Sequence, residues 1–172
     1  TVELADGTLC KPTEILAIDR SRDLALFRID QSGLPTLTLG DSSKIEPGQA
    51  VLSVGNPLGY DLSVSQGVVA AIRELEFGDG RPMVQVAIPI EAGSSGSPVV
   101  NRNGEVLAIL SIKSGGAMGF GVPANALRSL MEEIRPIPIK RWLTVGMLDE
   151  DEWILPLGGN WRQRAGIIKA SG

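Results

Sequence analysis

Short apolar runs separated by turn signals fill the first 120 positions, at the spacing expected of an all-β sandwich or barrel. Thr1–Leu4 alternates and then meets Asp6-Gly7, a hairpin turn signal. Further strands are predicted at Ile15–Ile18, Leu24–Ile29, Ala50–Val54, Ser63–Ile72, Met83–Ile88, Pro98–Val100 and Val106–Ile112. The last two flank Asn101-Arg102-Asn103-Gly104, whose Asn-Gly tolerates the positive φ of a tight turn, so these strands are expected to pair. One segment follows a different period. Pro123 followed by Leu127, Leu130, Met131 and Ile134 places apolar residues on one helical face, with proline suited to the first turn. An amphipathic helix of about a dozen residues is predicted there, ending before Pro136. Pro136 and Pro138 read as a stiff linker, 137–140. Beyond it, Trp142–Met147 and Ala165–Lys169 read as strands separated by an acidic turn and Gly158-Gly159, the beginning of a second unit.

The 172 residues are 43% hydrophobic and 21% charged, which excludes disorder, collagen and coiled coil. No apolar run approaches the roughly 18 residues of a membrane span, and the charged stretch Thr1–Cys10 is no signal peptide. A net charge of −4 without a basic stripe argues against nucleic acid as a partner. Cys10 is the single cysteine and there is no histidine, so an internal disulfide is excluded and no metal site or cofactor is expected. The missing imidazole also removes the usual general base.

Candidate chemistry centres on Gly93-Ser94-Ser95-Gly96-Ser97-Pro98, between an apolar strand and the predicted hairpin. A nucleophilic serine needs an exposed hydroxyl on a tight turn and free backbone amides for an oxyanion, which small neighbours allow. Ser95, with its own amide and that of Gly93, fits; the bland alternative is a small-residue connection. The α/β-hydrolase elbow does not fit, because Ser97 stands where it needs glycine and a strand follows where it needs a helix.

Two further stretches precede this loop in a specific order: Asp23-Leu24-Ala25, directly ahead of a strand, and Gly55-Asn56-Pro57-Leu58-Gly59, directly after one. Together with Val2-Glu3-Leu4-Ala5-Asp6-Gly7 and Gly119-Phe120-Gly121-Val122-Pro123, the ordered set resembles the trypsin-like serine proteases of the HtrA/Deg type over residues 1–136. The resemblance implies a double β-barrel with an incomplete N-terminal barrel and one C-terminal helix. It also implies Ser95 as nucleophile, Asp23 as triad carboxylate, and the Gly93 and Ser95 amides as oxyanion hole. Ser94 and Ser97 depart from the family's usual asparagine and glycine. Ile90 and the strand Ser111-Ile112-Lys113 fall where the family binds substrate, and the apolar surroundings imply cleavage after aliphatic residues. Extended substrate would add as a strand along Ser111–Ser114. The segment 141–172 resembles the opening strands of a PDZ domain. Resemblance further implies quality-control endoproteolysis of unfolded or damaged proteins outside the cytoplasm, periplasmic or tethered facing the periplasm, by a trimer-based homo-oligomer.

In this family the histidine precedes the strand that ends in Asp-Gly, which here is Val2–Leu4. The base is therefore expected just before Thr1, with the chain cut at both ends, and an isolated segment with exposed strand edges is expected to be unstable or swapped. This segment alone is expected to be inactive. A catalytically inactive pseudoprotease acting as a binding scaffold is the competing account, and a Ser95–Lys113 dyad is a third. A different class of function is carried by Gly119, Gly121 and Ala124, which match a G-x-G-x-x-A dinucleotide fingerprint. That match requires a βαβ unit around it to make an oxidoreductase.

Overall fold

A computed structural model describes residues 1–55, 63–74, 80–91, 93–113, 118–140, 160–164 and 167–171. Contacts divide the chain into two compact units, one of Ile18–Leu24 and Gly33–Glu133, the other of Thr1–Ala17, Ala25–Ser32 and Ile134–Gly172.

The first of these is built on β5 (Thr38–Leu39), β6 (Ala50–Gly55), β7 (Ser63–Glu74), β8 (Pro82–Ala87), β9 (Pro98–Val100), β10 (Glu105–Lys113) and β11 (Gly119–Pro123). Six of these strands close a ring in the order β6-β7-β8-β11-β10-β9, every neighbour antiparallel, and β5 adds outside it in parallel to the start of β10. Closure follows from the sequence alternation. Along β8 and just past it, Val84, Val86 and Ile88 point inward at every second position and are at most 1% exposed, and Val51, Val69, Val99 and Leu110 meet them from other staves. The predicted pairing of Pro98–Val100 with Val106 onward is present, with Val106 opposite Val100. Its turn is held by the Asn101 side chain, whose Oδ1 accepts from the amides of Asn103 and Glu105.

The helix α1 (Ala124–Glu132) is shorter than the apolar spacing predicts. It ends where Glu133 leaves helical geometry and its amide bonds the Leu130 carbonyl. Leu130 is buried, but Met131 and Ile134, expected on the same inner face, are 47% and 43% exposed. Pro123 closes β11 and stands before the helix, not within its first turn. The dinucleotide reading fails on topology: Gly119 and Gly121 lie inside β11, paired antiparallel to β8 and β10, so no βαβ unit exists around them. Among the described residues no helix is long and apolar enough to cross a membrane.

The other unit holds a two-stranded sheet, β1 (Val2–Glu3) with β2 (Leu9–Cys10), and a three-stranded sheet in which β3 (Pro12–Asp19) lies between β12 (Ile137–Pro138) and β4 (Leu24–Ile29). Asp6-Gly7 makes the expected turn between β1 and β2. Within the segment read as a linker, Ile137–Pro138 pair as an edge strand of this sheet, Ile137 opposite Ile15. A hairpin of β13 (Asn160–Arg164) and β14 (Ile167–Ser171) follows; the predicted strand Trp142–Met147 lies outside the described residues.

Asp41 ties α1 to the segment entering the barrel. Its Oδ1 accepts from the Ser43 hydroxyl at 2.6 Å, from the Asn125 amide at 3.0 Å and from the Ser43 backbone at 3.1 Å. Arg128 donates from the helix to the carbonyls of Leu39 and Gly40. The hydrogen bonds from Ser43 and Asn125 hold the Asp41 carboxyl well below the usual carboxylate range. A depressed folded-state value means that the group's stabilisation is complete above its unfolded value of 3.8 and is lost as pH falls through the folded value.

Two outcomes follow for denaturant unfolding of the protein. Ile88→Ala, at a site with no exposure, lowers stability by about 2–5 kcal/mol, whereas Val64→Ala, at 64% exposure, changes it by less than about 0.5 kcal/mol. Asp41→Asn flattens the loss of stability below pH 4 relative to wild type; an unchanged acid limb would show that Asp41 does not carry it.

Candidate functional site

The loop holding Ser95 is stitched to β10 residue by residue. The Leu110 amide donates to the Ser97 carbonyl at 2.9 Å, the Gly96 amide to the Leu110 carbonyl at 2.8 Å, and the Ser95 hydroxyl to the Ser111 carbonyl at 3.2 Å. Gly93 and Gly96 take φ values of 93° and 87°, left-handed backbone that only glycine adopts freely, so the loop can double back on itself. Ser94 is buried, its amide donating to the Glu91 carbonyl and its hydroxyl accepting from the Glu91 amide, which closes the turn ahead of Ser95. Ser95 itself is exposed. Among the described residues the Gly93 and Ser95 amides donate to no backbone carbonyl, and are free to meet a negatively charged oxygen.

A bulge explains how β10 serves this loop. Leu110 opposes Gly121 and Ile112 opposes Phe120 across the β10–β11 ladder, leaving Ser111 between them without a partner. A bulged residue is released from the ladder and its side chain is re-aimed. Here the Ser111 carbonyl accepts from Ser95, while its hydroxyl donates to Asp23 Oδ2 at 3.2 Å. Ser111 thus joins the two residues that the sequence pattern singles out, from positions 16 and 88 residues distant.

Asp23 is the one described non-glycine residue with positive φ, at 56°. That conformation disfavours most L-residues by roughly 1–2 kcal/mol, and aspartate tolerates it better than most. The turn before it is held by Asp19, whose Oδ1 accepts from the Ser21 hydroxyl and from the amides of Ser21 and Arg22. Arg22 donates to Asp19 Oδ2 at 2.5 Å, and the Arg81 guanidinium lies 3.6 Å from the same oxygen and 2.9 Å from the Ser21 hydroxyl. Burial pushes the Asp19 carboxyl upward, but Ser21 and Arg22 outweigh it and bring the value down to about 2. Sequence reasoning missed this network; Asp19-Arg20-Ser21 carries the spacing of an Asx turn, the one local signal available.

Of the other expected site residues, Ile90 is 4% exposed and belongs to the barrel core. Ile112 and Lys113 continue β10 opposite Phe120 and Gly119. Gly55, which opens the Gly-Asn-Pro motif, lies against the Ser95 loop: a Cβ there would collide with the Ser97 hydroxyl oxygen.

Residues 1–109 match the family model of the trypsin-like peptidase domain. A probable periplasmic serine endoprotease DegP-like from Halomonas elongata is 39% identical over 140 residues, 78% of this chain and 29% of that protein. One of the same name from a Marinomonas species is 38% identical over 128 residues, 71% of this chain and 27% of that protein. The chain therefore spans less than a third of the length of these relatives. Among solved structures, the HtrA-type protease AlgW with a decapeptide aligns with a TM-score of 0.67 and 29% identity, over 76% of this chain and 42% of that one. An AlgW variant with a tripeptide aligns with a TM-score of 0.68, also at 29% identity, over 46% of its length. The closed barrel, its helix and these matches agree: the chain belongs to the trypsin-like peptidases, in their HtrA/DegP-like branch.

Proposed function

We propose that this chain carries the nucleophile, the triad carboxylate and the oxyanion hole of a serine endopeptidase acting on unfolded or damaged proteins in the periplasm. The observation that carries the proposal is the pair of 3.2 Å hydrogen bonds from Ser95 to the Ser111 carbonyl and from the Ser111 hydroxyl to Asp23. Ser95 cannot attack while its proton goes to a carbonyl, because an amide oxygen is too weak a base. The triad's imidazole, which these 172 residues do not contain, is the base that takes that proton as Oγ adds to the scissile carbonyl. The Gly93 and Ser95 amides receive the oxyanion, and Asp23 orients the imidazole and stabilises the imidazolium that forms.

Substrate adds as an extended strand along Ser111 and the residues after it, taking affinity from main-chain hydrogen bonds. The apolar run Val86–Ile90 carries no acid to pair with a basic side chain, which favours cleavage after aliphatic residues. The periplasmic location is that of the DegP-like relatives named above. The segment from Arg141 is read as the start of a PDZ domain, and the assembly as trimer-based.

In the full-length protein, a fluorophosphonate probe labels Ser95 and fails on Ser95→Ala. Asp23→Asn lowers peptide turnover by roughly four orders of magnitude. A folded full-length protein that neither labels nor cleaves is a binding scaffold, and the proposal is then wrong. In a peptide library, cleavage follows Val, Ala, Ile or Leu; preferred cleavage after Arg or Lys would overturn the specificity.

A further inference from the structure

We infer that Arg81 and Asp19 are positioning residues for the Asp23 carboxylate, clamping the turn that holds Asp23 in its left-handed conformation; the inference rests on the catalytic role proposed for Asp23.

A strained φ persists only where its surroundings over-determine it. At Asp23 the Ser111 hydroxyl holds one end, the carboxylate. The other end, the backbone from Asp19 to Arg22, has bonds of its own to Asp19, but these are local and could move as one piece. A further side-chain contact from this turn to the barrel is made by Arg81, at the entrance to β8, with its guanidinium on the Ser21 hydroxyl and near Asp19 Oδ2. Arg81 is 60 residues away in sequence from Ser21, so this link is tertiary. Triad geometry tolerates little error: a displacement of about 1 Å costs up to a hundredfold in rate.

Charge and exposure fit such a role. Asp19 is the more enclosed partner, at 17% side-chain exposure, while Arg81 keeps 41%. Both stand on the wall of an open groove of about 850 Å³ whose far side is α1, formed there by Ala126, Ser129 and Leu130. A shorter or uncharged side chain at 81 therefore faces solvent, and removes the tether without emptying the core. Arg22, which also pairs with Asp19, belongs to the turn itself.

The test is steady-state peptide cleavage by the full-length protein, with Arg81→Met, Arg81→Lys and Ser21→Ala beside wild type and Asp23→Asn. Arg81→Met lowers kcat roughly tenfold to a hundredfold with KM within about twofold, and leaves the melting profile near wild type. Arg81→Lys recovers part of the loss, since an ammonium can still reach Ser21 and Asp19. Ser21→Ala, which removes the hydroxyl that Arg81 grips, reproduces the kcat defect and decides the matter should Arg81→Met fail to fold. A kcat unchanged in folded Arg81→Met or in Ser21→Ala, or a loss in KM alone, overturns the clamp. If wild type itself shows no turnover, the catalytic role of Asp23 fails first; if wild type and Asp23→Asn differ as expected, only the clamp is at stake.

Discussion

One unpaired residue in one strand organises the site. β10 is bonded to β9, β11 and β5, so its path is fixed by three neighbours and by the core residues Leu107, Ala108 and Leu110. Where the β10–β11 register slips, Ser111 is released from the ladder, and a rigid stave gains a hydrogen-bonding group at each face of the backbone. One meets the Ser95 loop and the other meets Asp23. Neither loop has a large buried side chain to hold it; both borrow rigidity from the barrel through this serine.

The two loops pay different conformational terms. The Ser95 loop is built from glycine and serine, so its tight path is adopted at little steric cost and is fixed by backbone bonds to Leu110 and Ser97. The Asp23 turn places a side-chain-bearing residue at positive φ and compensates with a dense set of charged hydrogen bonds around Asp19. Small residues give the first its shape, and electrostatics gives the second its shape. That contrast explains why the Ser95 loop stands out in sequence while its counterpart looks like an ordinary polar turn.

Legibility follows the range of the interactions. Leu24–Ile29 is found at its predicted bounds and the 98–112 hairpin in its predicted pairing, because alternation and turn chemistry are local. Two-residue strands such as Thr38–Leu39 and Ile137–Pro138 are too short to show a period, and they form only because a longer strand presents free edge groups. The helix ends earlier than its apolar spacing predicts: Met131 and Ile134 keep the helical spacing, yet the chain turns away after Glu132. The glycine fingerprint at 119–124 misled for a related reason, since spacing alone does not report whether neighbouring strands run parallel or antiparallel. The Ser95 loop and the Asp23 turn stand out in the sequence through motif order. The Ser111 bulge does not, because a register slip is a property of two strands together, and the Arg81 contact does not, because nothing local announces a partner 60 residues away.

The contact between Gly55 and Ser97 bears on how this sequence can change over time. With the Ser97 hydroxyl where it stands, a side chain at 55 requires that hydroxyl to move, so the two positions are coupled. Removing the hydroxyl at 97, by alanine or glycine, removes the clash that a side chain at 55 would meet. The serine at 97 thereby constrains the residue that ends β6, and ties what position 55 can carry to the Ser95 loop.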